Sequence, residues 1–166
     1  TSDDMVNRMI QQFDSKFTQD MRAKVAAQGL TIHQVVTMAS LVEREAVVPS
    51  ERPLVAGVFY NRPRDAMLPH TDPTVQYAVA LGQPNSQQRY GWWTVALTKD
   101  DLAIASPSNS YLHPGLHPSP ICNTGPASLK ANVTHAATTY LYDAEAPSGT
   151  HEMTSTHTTH NPHHPA

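Results

Sequence analysis

The sequence predicts an α+β fold that is mostly helical, with a small β-sheet near the C-terminus. Apolar residues recur at helical spacing through the first half of the chain, with capping residues and prolines between the helical stretches. Two short segments, "TTYLYDAE" and "GTHEMTST", follow near the end and are joined by a Pro-Ser-Gly turn, which predicts a hairpin. A chain of 166 residues is long enough for one domain with a substantial core.

The first part of the chain is predicted to be helical throughout. The apolar spacing over 3–28 predicts one packing helix that ends at Gly29. Thr31 is predicted to cap a second helix over 32–47, whose apolar residues occupy nearly every direction, so it should lie at the centre of the core. Pro49 ends this helix, and Ser50 is predicted to cap a third one over 51–62.

The later segments are shorter and richer in turns. Asp72 and Pro73 are predicted to begin a short helix that ends at Ala80, and further helices are predicted within 98–105 and 126–136. The turn-rich stretch between these last two is too long for a simple connection, so we expect it to be functional.

Residues 1–156 are predicted to form one domain, and the histidine-rich residues 157–166 are predicted to form a flexible tail. The net charge of −3 argues against nucleic-acid binding, which requires a basic surface. Cys122 is the only cysteine, so neither an internal disulfide nor a cysteine metal cluster is possible. The chain contains no apolar run long enough to span a bilayer. Because Thr1 is not a natural start, we expect a fragment that has lost any N-terminal membrane anchor.

Two glutamates interrupt the apolar second helix. At about 100° per residue, Glu43 and Glu45 point in well-separated directions, so they cannot form a carboxylate pair on one face. Glu45 lies in the last turn, where the helix dipole and apolar neighbours both favour the protonated form that a general acid needs. Glu43 could pair with Arg52 or Arg62. The plainer alternative, in which both glutamates form ion pairs at the helix edge, stays open on this pattern alone.

Several motifs resemble those of the endolytic murein transglycosylases, the MltG/YceG-like family. They are "ASLVEREA", "SERPLVAGVFYNR" and "LPHTDPTVQYA", followed by "SNSYLHPGLHPSPICNTGPASLKA" and "YLY" in the same order. The resemblance covers about residues 30–161 and implies a catalytic region like those of lysozyme and the lytic transglycosylases.

The resemblance implies cleavage of peptidoglycan glycan strands between N-acetylmuramic acid and N-acetylglucosamine, leaving 1,6-anhydro ends. It assigns Glu45 as the single acid and base, with Glu43 supporting it, and requires no cofactor. It also implies partners in the cell-wall synthesis machinery and a location at the outer face of the bacterial inner membrane.

Further candidates for substrate binding follow from the same motifs: Thr71, Asp72, Gln76, Tyr77, Asn109 and Tyr111. Thr71 and Asp72 could instead cap a helix, and Tyr77 could instead pack in the core. Arg62 is expected to form an ion pair behind the catalytic helix.

The chain departs from the family pattern after residue 106. His117 and Ser119 stand where the family has Pro and Gly, and Ser119 would be strained if that position needs a positive φ. Thr124 and Asp143 are further departures. They leave open an alternative function, a catalytically inactive peptidoglycan-binding module.

The histidines suggest a different class of site. Eight of them could serve as metal ligands: His113, His117, His135, His151, His157, His160, His163 and His164. However, no helical His-x-x-x-His with a glutamate base is present, so we predict no physiological metal site. His151 and His160 are expected to be local structure near the sheet.

Overall fold

The computed structural model describes residues 1–82, 91–93, 96–146 and 148–156. Its helices are α1 (Ser2–Lys16), α2 (Gln19–Ala27), α3 (Ile32–Glu45), α4 (Arg52–Arg64), α5 (Asp72–Gly82), α6 (Lys99–Leu102) and α7 (Pro126–Val133), with a 3₁₀ turn at Pro49–Glu51. Strands β1 (Tyr142–Glu145) and β2 (His151–Thr154) form an antiparallel hairpin in which Tyr142 pairs with Thr154. The α+β prediction with a small C-terminal sheet is confirmed.

Helix α3 is the centre of the core, as its all-round apolar pattern predicts. One side of the helix packs with α4 in a cluster that includes Leu41, Val55 and Phe59. The other side packs with α2 and α7 in a second cluster that includes Val35 and Leu129. Because α3 is buried on both sides, the position of its C-terminal end is fixed by the whole core.

The capping of α3 also follows the prediction. The Thr31 hydroxyl accepts a hydrogen bond from the Gln34 amide, and the Gln34 side chain accepts one from the Thr31 amide, so the two residues form a capping box. The helix ends at Glu45, two residues before the predicted limit at 47, and Ala46 is its C-cap.

The single helix predicted over 3–28 is wrong, because the chain breaks at Phe17. Phe17 follows α1 with a non-helical backbone and buries its ring completely, and Thr18 caps a new helix by accepting from the Met21 amide. Burial of the aromatic ring outweighs continuation of the helix. Helix α1 packs through Phe13, which is partly buried against the second cluster, but it buries no residue fully and leaves Met9 61% exposed.

The cap predicted at Ser50 is also wrong. Ser50 lies inside the 3₁₀ turn, and α4 begins at Arg52 without a side-chain cap. Pro53 takes the early helical position that tolerates a missing amide hydrogen.

Within the described residues, no single helix is long and apolar enough to cross a membrane. Helices α2 and α3 together have the length and composition of a membrane span, but the pair is bent by 99°.

Candidate active site

Glu45 is the last residue of α3, and its carboxyl group is closely surrounded by protein although the residue keeps some exposed surface. The Thr71 hydroxyl donates a hydrogen bond to its Oε2 at 3.3 Å. Burial and the nearby charges of Asp143 and Asp72 raise the pKa of Glu45 to about 8, against the opposing effects of Arg62 and the Thr71 hydrogen bond. A carboxyl group in this environment is protonated at neutral pH.

The wall beside Glu45 is made of hydroxyl groups from two segments distant in sequence. Thr71 is fully buried, and its amide donates to the Ser110 Oγ at 3.0 Å. The Ser110 Oγ lies 2.7 Å from the Thr74 Oγ1, which donates to the Thr71 carbonyl at 2.7 Å. These bonds join the loop around Ser110 to the start of α5. Ser110 also lines a cavity of about 530 Å³ formed by residues 105–118.

Asp72 and Tyr111 form a hydrogen-bonded pair near the acid. The Tyr111 hydroxyl donates to Asp72 Oδ1 at 2.6 Å, and its ring stacks on His70 with ring centroids 4.8 Å apart. Burial, followed by this hydrogen bond, raises the pKa of Tyr111 well above its usual value. Asp72 is exposed, so a polar edge is available to solvent beside Glu45.

Glu43 has different surroundings from Glu45. It accepts a hydrogen bond from the Gly125 amide at 3.0 Å, and its carboxylate lies 3.5 Å from the Arg52 guanidinium. The predicted pairing with Arg52 is confirmed. A support or substrate-binding role for Glu43 stays a prediction, and its contacts anchor the turn before α7 to α3.

Gln76 and Tyr77 both lie on α5 and are partly buried. Tyr77 packs against the core cluster of α3 and α4, and its ring centroid lies 6.0 Å from that of Trp92 and 6.2 Å from that of His117. The geometry therefore shows core packing for Tyr77. Contacts of either residue with a sugar stay predictions.

Asn109 is held entirely within its own loop. It is fully buried, its Nδ2 donates to the Leu102 and Ile104 carbonyls, and its Oδ1 accepts from the Tyr111 amide. These backbone bonds support a structural role that fixes the loop between α6 and Tyr111. The predicted role of Asn109 in substrate binding stays a prediction.

Arg62 forms the expected ion pair, and its partner is a residue that the sequence did not identify as a site residue. Its Nη2 lies 2.6 Å from Asp143 Oδ1, in the strand β1. Asp143 was singled out only as a departure from the family pattern. A second unpredicted contact places the Arg44 guanidinium 3.9 Å from the centroid of the Trp93 ring. The sequence contains no local signal for either contact, because the partners lie far apart along the chain.

The loop that departs from the family pattern is not strained at Ser119. Among the described residues other than glycine, positive φ occurs at Ala66 and His70, so Ser119 needs no left-handed backbone. Instead, the His117 Nδ1 lies 2.5 Å from the Ser119 carbonyl and the ring is buried. Burial lowers the pKa of His117.

The histidines of the described residues do not converge on a common point. No group of three or more His, Cys, Asp or Glu side chains there could hold a metal ion. His135 stacks on Tyr60, and His151 lies 3.0 Å from Glu51, which agrees with the expected local role of His151 near the sheet. The four histidines of the tail, His157, His160, His163 and His164, lie outside the described residues, as does the predicted tail itself.

The chain is similar to a known family over nearly its whole length. Residues 1–164 match the model of the YceG-like family. The chain is 35% identical over 159 residues to an endolytic murein transglycosylase of Bacillus subtilis, covering 96% of this chain and 41% of that protein. It is 28% identical over 146 residues to an endolytic murein transglycosylase of Streptococcus pneumoniae, covering 86% of this chain and 24% of that protein.

A solved structure shares the fold. The crystal structure of a YceG-like protein of Listeria monocytogenes matches with a TM-score of 0.82 and 31% sequence identity, covering 98% of this chain and 48% of that one. The chain therefore spans less than half the length of the relatives it matches.

Proposed function

Because the chain belongs to the YceG-like family, we propose that it is the catalytic part of an endolytic murein transglycosylase. Its substrate is the glycan strand of peptidoglycan, which it cleaves between N-acetylmuramic acid and N-acetylglucosamine. The observation that carries this proposal is the carboxyl group of Glu45, which ends the central helix, is held by Thr71 and has a pKa of about 8.

The proposed mechanism uses one carboxyl group twice. Protonated Glu45 donates its proton to the glycosidic oxygen, and the bond from that oxygen to C1 of the muramic acid breaks. The carboxylate of Glu45 then takes the proton of the C6 hydroxyl of the same sugar, whose oxygen forms the new bond to C1. The products are a 1,6-anhydro end and a free hydroxyl on the leaving sugar. The internal hydroxyl replaces an external nucleophile.

The other carboxylates near Glu45 support this single-carboxyl mechanism. A retaining glycosidase needs a second carboxylate as nucleophile, and an inverting one needs a base that activates water. Asp143 is buried against Arg62, and Asp72 is bonded to the Tyr111 hydroxyl. Both are therefore already engaged in short hydrogen bonds.

Further parts of the proposal concern the surroundings of Glu45. We infer a lysozyme-like arrangement, in which a glutamate at a helix end faces the substrate cleft. The exposed edge formed by Asp72 and Tyr111 would bind sugar hydroxyls, with Thr71 orienting the acid and Gln76, Tyr77 and Glu43 in supporting positions. Peptidoglycan as substrate implies action in the cell envelope, next to the cell-wall synthesis machinery.

The test is digestion of uncrosslinked glycan strands by the wild-type chain, Glu45→Gln and Glu43→Gln, with products identified by mass spectrometry. Anhydro-muramyl ends from wild type and Glu43→Gln, but none from Glu45→Gln, are expected. Reducing ends that have gained water would show a hydrolase and overturn the internal-nucleophile mechanism. Binding of strands without cleavage would instead identify the inactive glycan-binding module.

A further inference from the structure

The guanidinium of Arg62 is fully engaged in hydrogen bonds to three separate groups. Its Nε donates to the Leu141 carbonyl at 2.8 Å, its Nη1 donates to the Pro69 carbonyl and its Nη2 donates to Asp143 Oδ1 at 2.6 Å. The Arg62 and Asp143 side chains are only 8% and 4% exposed. A planar guanidinium group that is hydrogen-bonded at three points is held in one orientation, so it can fix the position of the groups that it binds.

One of these groups belongs to the segment that contacts the acid. Pro69 lies two residues before Thr71, whose hydroxyl donates to Glu45. Between them, His70 has a left-handed backbone with φ 46°. A residue other than glycine keeps such a backbone only when its surroundings enforce it. Here Arg62 binds the segment on one side of His70, and Ser110 binds the amides of His70 and Thr71 on the other.

We propose that Arg62 and Asp143 are positioning residues for Glu45. Asp143 orients the guanidinium, the guanidinium holds the Pro69 carbonyl, and the segment fixed in this way presents the Thr71 hydroxyl to the acid. The consequence for cleavage rests on the proposed function, whereas the effect on the Glu45 carboxyl group does not.

The charged groups around Glu45 determine the direction in which each substitution should shift its pKa. Glu45 is faced by Arg62 from α4, by Thr71 and Asp72 from the start of α5, by Tyr111 from the following loop and by Asp143 from β1. Asp143 raises the pKa of Glu45, whereas Arg62 and the Thr71 hydrogen bond lower it. Removing the charge of Asp143 lowers the pKa of Glu45 directly, but by releasing the guanidinium it also weakens the Thr71 hydrogen bond, which raises the pKa. Arg62→Lys keeps the positive charge and loses the planar fork, so it isolates the positioning effect, which raises the pKa of Glu45.

The first measurement is a titration of glutamate side chains by ¹³C NMR, with Glu45 assigned from the signal missing in Glu45→Gln. Thr71→Val should raise the pKa of Glu45, and Arg62→Lys should raise it too but add little in the Thr71→Val background, because the guanidinium acts through the Thr71 hydroxyl. Arg22→Lys is the matched control, since Arg22 pairs with Asp14 at 2.7 Å on the surface. It should leave the Glu45 titration unchanged. Circular dichroism checks that each variant folds.

The second measurement is the pH profile of cleavage. Arg62→Lys, whose ammonium group lacks the planar fork, should shift its alkaline limb to higher pH and lower kcat about 10- to 100-fold with little change in KM. Asp143→Asn should lower kcat in the same way and add little to the loss in Arg62→Lys. A uniform loss of activity without a shifted limb would show a purely structural role. If the wild type forms no anhydro ends, the proposed function fails, and the titration still decides the positioning role. An unchanged Glu45 titration in folded Arg62→Lys, or an equal shift with and without Thr71→Val, overturns it.

Discussion

Replacing Glu45 by glutamine should stabilise the folded protein at alkaline pH while abolishing cleavage. The carboxyl group of Glu45 is surrounded by protein and faced by the charges of Asp143 and Asp72, so ionising it opposes folding. Glutamine has nearly the same shape and can accept the hydrogen bond from Thr71 without carrying a charge. A residue kept for its chemistry at a cost in stability is expected at active sites.

The magnitude follows from the difference in proton affinity between folded and unfolded chains. The pKa rises from the 4.5 of an unperturbed glutamate to about 8 in the folded state. The stabilising effect of the proton is fully present below pH 4.5 and is lost as the pH rises through about 8. At 1.36 kcal/mol per pH unit the full loss is about 5 kcal/mol. Because water reaches the exposed part of the side chain, we expect about 2–4 kcal/mol.

The assay is urea unfolding of wild type and Glu45→Gln at several pH values from 5 to 9. The free energy of unfolding of the variant should exceed that of wild type by an amount that grows across this range. Glu152→Gln removes an exposed glutamate of β2 and supplies the effect of losing one surface charge. Parallel curves for wild type and Glu45→Gln would refute the reasoning, since they would mean that Glu45 ionises as easily in the folded chain as in the unfolded one.

Three further substitutions test contacts described above. Gly57→Ala should lower the free energy of unfolding by about 2 kcal/mol or more, because a Cβ there would lie 2.7 Å from the Ala136 carbonyl oxygen. Gly82→Ala is the matched control, since its Cβ would meet Ile104 at an ordinary 3.7 Å. Equal effects of the two substitutions in urea unfolding would contradict the argument. Asn109→Ala should lower the free energy of unfolding, measured by thermal unfolding, by about 2–4 kcal/mol, because the Leu102 and Ile104 carbonyls lose their donor. Asn123 is exposed, and a loss of stability no larger than that of Asn123→Ala would show that these bonds matter little. Glu43→Gln should lower the free energy of unfolding by about 1 kcal/mol, because its contacts with Gly125 and Arg52 are weakened. It should lower the cleavage rate less than tenfold. A loss of rate equal to that of Glu45→Gln would instead identify Glu43 as a catalytic residue.

The parts of the fold that local sequence controls were predictable. Thr31 caps α3, the apolar pattern of α3 places it between two core clusters, and the hairpin pairs as its turn suggests. The break at Phe17 was not predictable from helical spacing, because burial of that ring depends on Val25 and Leu129, which the spacing does not show. The wrong cap at Ser50 has a different, local cause, since Ser50 lies in the 3₁₀ turn that begins at Pro49 and α4 begins after it without a side-chain cap.

The candidate site also has features that the local sequence predicts and features that it does not. The direction of Glu45 and the pairing of Glu43 with Arg52 follow from positions along one helix and the next. The raised pKa of Glu45 was expected from the helix dipole and apolar neighbours, whereas burial and the charges of Asp143 and Asp72 raise it in the structure. The contacts of Asp143 and Ser110 arise from segments 81 and 39 residues away from their partners Arg62 and Thr71. Such contacts depend on the tertiary fold, and no local pattern in the sequence indicates them.

The residues around Glu45 lie far apart along the chain, and this separation determines when the site forms. Glu45 lies in the first third of the chain, whereas Asp143 belongs to the hairpin near its end. Contacts between residues so far apart form late, after the chain between them has been ordered. During synthesis, an emerging chain therefore carries Glu45 long before it carries the environment that keeps the carboxyl group protonated. Under the proposed function, lytic activity is delayed until the domain is complete, so an unfinished chain cannot cut the wall.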